Sequence, residues 1–245
     1  MTARRTFATT SRVLAQLRHD HRTIGIILVL PCVIFGLIAW MFSGTESQVV
    51  DTMGPLLIAI FPAVIMFLIT SVVTLRERTS GTLERLMSLP ISKADFLVGY
   101  ALAFALAAAV QAVVLLAFAM GVCGMRIEGP VALMGLVSVL DAVLGSTLGL
   151  AASALARTEF QAVQLMPVFL IPQILVCGLL MPRAAMPLVL EWISRALPFT
   201  YAAQAMEKLQ VGASTWSVAS DIAVICAFIA GTLTAGIVTL RRRTA

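Results

Sequence analysis

The stretch MGPLLIAIFPAVIMFLITSVVTLRERTSGTLERLMSLPISKAD, running from Met53 to Asp95, decides the fold. Its first part, Met53 to Leu75, carries no charge, whereas the twenty residues from Arg76 to Asp95 carry seven. About 20 apolar residues at 1.5 Å each cross the ~30 Å hydrocarbon core of a bilayer. Backbone groups in lipid must bond within their own segment, so such a run is a helix. A second apolar run opens at Phe96, so the chain crosses, makes a long polar connection and crosses again.

Outward from this stretch the same pattern repeats. The 245 residues are 60% hydrophobic and only 12% charged, against about 25% charged in soluble domains. The net charge of +5 is not gathered into a stripe suited to phosphates. Its cations flank apolar runs, so they report topology and no nucleic-acid partner is expected. Cys32, Cys123, Cys177 and Cys226 lie in apolar segments without paired spacing, which reads as buried thiols, with no metal site and no disulfide framework.

The expected fold is an all-α integral membrane protein with six transmembrane helices, near Ile24–Phe42, Met53–Leu75, Phe96–Val122, Val131–Ala156, Phe160–Met181 and Ile222–Leu240. Thirteen Lys and Arg residues fall in the first 22 residues, the Arg76–Lys93 loop, Arg157 and Arg241 to Arg243. The opposite side has four: Arg126, Arg183, Arg195 and Lys208. Positive charge favours the cytoplasm, so both termini and the polar loop are placed inside. Residues 1–245 form one membrane domain, with residues 1–22 a basic amphipathic helix at the headgroups, Phe7, Leu14 and Leu17 on its apolar side.

Within the spans, Gly145 and Gly149 make a GxxxG suited to close helix contact. Asp141 is the one acid well inside a span. It reads either as an ion- or proton-coupling carboxylate or as a structural hydrogen bond to Ser138, Ser146 or a neighbouring helix. Residues 182–216 are too short and too charged to cross. They predict one or two short helices dipping into the outer leaflet, with Trp192 and Tyr201 at the headgroups.

In the polar loop, Leu83, Leu86, Met87 and Pro90 recur at helical spacing. A short helix from Thr82 to Leu89 is expected, opened by Gly81 and stopped by Pro90, with Ser92 to Asp95 matching a capping box for the next span. Such a helix either transmits a push to both spans or rests on the headgroups.

Two segments resemble the membrane subunit of ABC type-2 exporters, the permeases that include the daunorubicin-resistance type. One is Arg76 to Pro90, similar to that family's acidic-Gly-Thr-Leu-Glu stretch ending in Pro. The other is Gly178 to Pro182 with Met186-Pro187 and Leu197-Pro198-Phe199-Thr200-Tyr201-Ala202, similar to the family's Asn-Pro-Leu-Thr-Tyr segment, with Leu197 for the Asn and Phe199 for the Leu. The resemblance implies that Glu77, Gly81, Thr82, Leu83, Glu84, Arg85, Leu86 and Met87 form a coupling helix seated on a separate ABC ATPase, two copies per complex. It implies a re-entrant helical hairpin before the sixth span, marked by Pro182, Pro198, Phe199, Thr200 and Tyr201. It also implies a dimeric membrane unit, homodimeric or heterodimeric, with the second and fifth spans lining the substrate path. Phe67, Phe169 and Asp141 are the candidates for that path.

No GxxxxGK[ST] P-loop, HExxH or GxSxG occurs, so the chain is expected to carry no catalytic residue and no cofactor, ATP and Mg²⁺ belonging to the ATPase partner. The function expected from this resemblance is the permease of an ATP-driven exporter for a lipophilic drug, antibiotic or lipid, a multi-pass protein of the plasma membrane, expected in the bacterial inner membrane among membrane lipids. The alternative is a stand-alone ion- or proton-coupled carrier built on Asp141.

Overall fold

The computed structural model describes residues 3–43, 48–81 and 93–239. All its long elements are helices, and no strand occurs among the described residues. In chain order they are α1 (Ala3–His19), α2 (His21–Phe42), α3 (Gln48–Thr79), α4 (Lys93–Gly121), α5 (Val131–Leu155), α6 (Glu159–Val176), α7 (Leu188–Arg195), α8 (Phe199–Gln210) and α9 (Thr215–Thr239). A 3₁₀ turn, Arg183–Ala185, precedes α7. Six helices, α2 to α6 and α9, are long and apolar enough to cross a membrane, as the hydropathy pattern requires.

Helix α3 packs most extensively along α5. Lipid tails are as apolar as leucine, so close backbone approach and polar contacts must hold membrane helices together. The GxxxG supplies the approach: a Cβ on Gly145 would collide with the carbonyl of Ala63, and one on Gly149 with the carbonyl of Phe67. Ser138 adds a hydrogen bond from its Oγ to the Ile58 carbonyl at 2.8 Å.

Two helices outrun the spans expected of them, and paired charges explain both. Helix α3 continues past Leu75 through Arg76, Glu77 and Arg78, each of which finds a partner. Helix α9 starts at Thr215 because Asp221 is buried against Lys208 of α8 at 2.6 Å. With 32 residues, α3 is about 48 Å long at 1.5 Å per residue, well beyond a ~30 Å core.

The surplus at the arginine-rich end is packed by α1. Thr6 Oγ1 donates to Asp95 at 3.3 Å and Thr10 Oγ1 to the Gly99 carbonyl at 3.1 Å. Both pairs are 89 residues apart, so α1 runs beside the start of α4 in the same direction. Its buried side is Thr6, Thr9, Thr10 and Val13, while Leu14 and Leu17 are only partly buried and Phe7 points out. The apolar side made by Phe7, Leu14 and Leu17 is thus divided, Leu14 and Leu17 packing against the buried cluster and Phe7 staying exposed. Small threonines against Gly99, where a Cβ would lie 2.7 Å from that of Thr9, let the two backbones approach.

Between α6 and α9 the chain turns at Gly178 (φ +118°), then forms the helical hairpin α7–α8. Helix α8 is a core element, burying Phe199, Ala202, Ala203, Met206 and Leu209. Trp192 is exposed and stacks with Arg195, whose guanidinium carbon stands 5.2 Å from the ring centre.

Replacing Gly145 or Gly149 by Val is expected to lower stability by about 1–3 kcal/mol or more, because the added carbons meet backbone rather than a movable side chain. Gly231→Ala, at a site with open space around it, is the matched control. Thermal unfolding in detergent measures both.

Candidate functional site

The residues Thr82, Leu83, Glu84, Arg85, Leu86 and Met87, with the rest of the expected coupling helix, lie outside the described residues. Its two mounting points do not: they are the end of α3 and the start of α4. Gly81 there has φ +72°, a left-handed conformation that glycine adopts without a Cβ clash, and it closes α3 just before the connection.

The three charges that end α3 each engage a different part of the bundle. Arg76 reaches α6, its Nε and Nη2 donating to the two Glu159 oxygens at 3.0 and 3.1 Å. Arg78 donates from Nη1 to the Ser153 carbonyl near the end of α5. Glu77 turns inward, where it is 6% exposed. Its Oε1 accepts from Arg12 Nη1 of α1 at 2.9 Å, and its Oε2 accepts from the Tyr100 hydroxyl of α4. Arg12 Nη2 closes the triangle on the Tyr100 oxygen at 3.0 Å. Three consecutive residues thus tie α3 to α1, α4, α5 and α6.

The divergence is a consequence of helical spacing. Successive side chains project about 100° apart, so Arg-Glu-Arg at a helix end points to three sides. Only the middle one faces the interior, and a buried carboxylate there requires charged and hydrogen-bonding partners. Burial alone would lower the pKa of Arg12, but hydrogen bonding to Glu77 and the contacts with Tyr100 and Glu77 raise it above the ordinary arginine value. The ring of Tyr100 is wedged between Phe96 and Phe104, with centroids 4.5 and 6.1 Å away.

The α5–α6 corner is stiffened beside this hub. Thr158 caps α6 by accepting from the Gln161 amide at 3.2 Å, and Gln161 Oε1 accepts from the Arg157 amide at 2.9 Å. This reciprocal arrangement satisfies two helix-end donors and holds Glu159 where Arg76 meets it.

Among the other candidate residues, Phe67 and Phe169 stand together, ring centroids 6.1 Å apart and tilted by 39°. Phe67 is fully buried and Phe169 half-buried, in one apolar cluster with Phe199. The second span, the fifth span and the hairpin therefore meet at three phenylalanines. In the hairpin, Pro198 is the N-cap of α8 and Pro182 sits exposed at the 3₁₀ turn. Thr200 Oγ1 lies 3.2 Å from Ser194 Oγ, and the Tyr201 hydroxyl donates to the Arg195 carbonyl at 2.7 Å. These two contacts close the corner between α7 and α8.

Asp141 is 1% exposed, and neither carboxyl oxygen has a hydrogen-bond partner among the described residues. The expected bonds to Ser138 and Ser146 are absent, because those hydroxyls donate to the Ile58 and Val143 carbonyls instead. No cluster of three His, Cys, Asp or Glu side chains able to hold a metal ion occurs among the described residues.

Arg12, Tyr100, Glu159 and the Ser153 carbonyl were not among the residues singled out from sequence. The tail arginines looked alike there, and only the excess of aromatic residues around Tyr100 (Phe96, Tyr100 and Phe104 at i, i+4 and i+8) set that turn apart.

Six spans, a polar connection mounted on an Arg-Glu-Arg hub and a helical hairpin before the last span define a transporter membrane domain. The ABC-2 type transporter family matches residues 4–211, and the chain belongs to it. It is 30% identical over 171 residues, 70% of this chain and 23% of the relative, to ABC transporter G family member 20 of Dictyostelium discoideum. It is 31% identical over 149 residues, 60% of this chain, to the probable multidrug ABC transporter permease YbhR of Escherichia coli K12. It is 30% identical over 169 residues, 68% of this chain, to the linearmycin resistance permease protein LnrN of Bacillus subtilis. The chain covers 40% of YbhR and 43% of LnrN, so it spans less than half the length of these relatives.

Removing the Glu77 carboxylate is expected to cost about 1.5–3 kcal/mol, the range for hydrogen bonds to a charged group. A double-mutant cycle of Arg12→Ala and Glu77→Ala should show a coupling of about 1 kcal/mol or more between residues 65 positions apart in sequence. Urea or thermal unfolding in detergent reads it, and additivity of the two substitutions would show that the ion pair holds nothing together.

Proposed function

We propose that this chain is the permease of an ATP-driven exporter that carries a lipophilic drug, antibiotic or lipid out of the cell. ATP and Mg²⁺ are bound by a separate ABC ATPase present in two copies, and two permease copies, identical or paired with a related chain, form the pore. The complex sits in the bacterial inner membrane with both termini inside. The observation that carries this reading is the hub at Arg76, Glu77 and Arg78, immediately before the connection that an ATPase would grip. A displacement of residues 82–89 enters α3 through Gly81, and the hub passes it to α1, α4, α5 and α6 at once. A stiff network with discrete contacts suits such a transfer better than a flexible loop.

An open hollow at the foot of α6 supports a reading of the cargo as amphiphilic. The hollow, of about 440 Å³, is walled by Leu155, Leu165 and Val168, with Arg157, Gln161 and Gln164 as polar groups. Apolar walls with a few polar anchors suit an amphiphile. The ion-coupled carrier based on Asp141 has no such support, since that carboxyl is enclosed within the bundle.

Proteoliposomes holding the chain with its ATPase are expected to move a lipophilic dye only with ATP, and to stop with vanadate. Leu86→Asp should reduce transport by roughly tenfold or more while leaving membrane insertion intact, because an unpaired carboxylate at a docking surface costs several kcal/mol. Undiminished transport in that variant would remove residues 82–89 from coupling. Transport by the purified chain without any ATPase would overturn the exporter reading itself.

A further inference from the structure

The first 22 residues carry five arginines. Arg12 is spent on Glu77, whereas Arg4, Arg5, Arg18 and Arg22 are exposed and have no ion-pair partner among the described residues. One of them, Arg18, lines an open groove of about 690 Å³ along α1, together with Phe7, Ser11, Leu14 and His19, and α4 borders it through Leu106. His19 is held at its rim, Nδ1 lying 2.7 Å from the Ala15 carbonyl.

The level of this groove can be read from helix register. Thr6 pairs with Asp95 and Thr10 with Gly99, so Arg18 falls beside the turn of α4 that holds Leu106, where α4 borders the groove. Tyr100 of α4, which meets Glu77 of α3, lies one to two turns below Leu106. The apolar span α2 begins at His21. Arg18 and His19 are therefore at the boundary between the arginine-rich end and the hydrocarbon region. From one turn below them upward, α4 turns an apolar stripe outward: Leu102, Leu106, Val110 and Val113 are 40%, 52%, 55% and 66% exposed. Cations at the boundary and an unbroken acyl-compatible stripe rising from them match the two halves of one molecule.

We propose that the α1–α4 groove binds an anionic phospholipid of the inner leaflet, its phosphate on Arg18 and the His19 rim and one acyl chain along Leu106, Val110 and Val113. This lipid is a resident ligand, distinct from any cargo at the foot of α6. Charge complementarity selects the occupant: a basic pocket at the cytoplasmic edge of a helix pair is a headgroup site, and each cation near an anionic headgroup strengthens binding by about fivefold. Because α1 also carries Arg12, the lipid would brace the helix that completes the Glu77 hub. The site rests on the placement of both termini inside, and on nothing about ATP coupling.

Native mass spectrometry of the full, delipidated chain in detergent tests it, with phosphatidylglycerol as probe and chain-matched phosphatidylcholine as reference. Wild-type chain is expected to prefer phosphatidylglycerol at least about fivefold. Arg18→Gln should bring the preference below about twofold with the unfolding temperature unchanged, since Arg18 has no ion-pair partner to lose. Arg4→Gln with Arg5→Gln, outside the groove, should leave it intact. Equal binding of the two lipids by wild type, or an equal loss in the Arg4 and Arg5 variant, would overturn the site. The exporter reading stands or falls separately, by vanadate-sensitive transport.

Discussion

The close approach of α5 to α3 is the constraint on which the remaining geometry depends. In a bilayer an apolar side chain gains little by leaving lipid for a neighbouring helix, so hydrophobicity alone does not choose between one bundle and another. Contact of backbones does choose, because dispersion and carbonyl packing require a surface with nothing projecting from it. Gly145 and Gly149 provide that surface against Ala63 and Phe67. The Ser138 bond to Ile58 at one end and the Arg78 bond to Ser153 at the other fix the two helices along their lengths.

Once α3 and α5 are joined, the position of the Arg-Glu-Arg run follows. It extends from the same rigid pair at the end where α1, α4 and α6 converge, so partners can be supplied from all sides. The energetic asymmetry is large. Arg76 and Glu159 are both at least half exposed, and a pair of that kind contributes little to stability. Glu77 is enclosed, and losing a partner there leaves an uncompensated charge in an apolar setting. The exposed pair adds little to the hold on α6, while the enclosed one keeps α1, α3 and α4 together. The hub therefore combines one enclosed joint with one solvent-exposed contact.

The fold was legible in the sequence because it follows from the solvent. Span length, helical backbone and the placement of cations are set by the bilayer, and the six helices fall where the apolar runs do, within a few residues. The departures come from charges acting locally. Asp221 and the Arg-Glu-Arg run read as span boundaries, yet Lys208, Glu159 and Arg12 neutralise them inside longer helices. The GxxxG was legible for the same reason as the spans, since absence of side chains has one obvious use in lipid.

The hub was legible only in half. Glu77 stood out through the family resemblance of the Arg76 to Pro90 stretch, but its partners come from 65 residues before and 23 after it, and a single sequence does not rank Arg12 above Arg5 or Arg18. What separates them is register: the α-helical repeat of about 3.6 residues per turn carries Thr6, Thr10 and Val13 onto α4, which leaves Arg12 at the edge facing α3 and Arg18 facing outward. The arginine tail is thus two populations with different chemistry. One member is consumed in pairing with Glu77, and the others are exposed, a division made by the threonine face of α1 and by the missing side chain of Gly99.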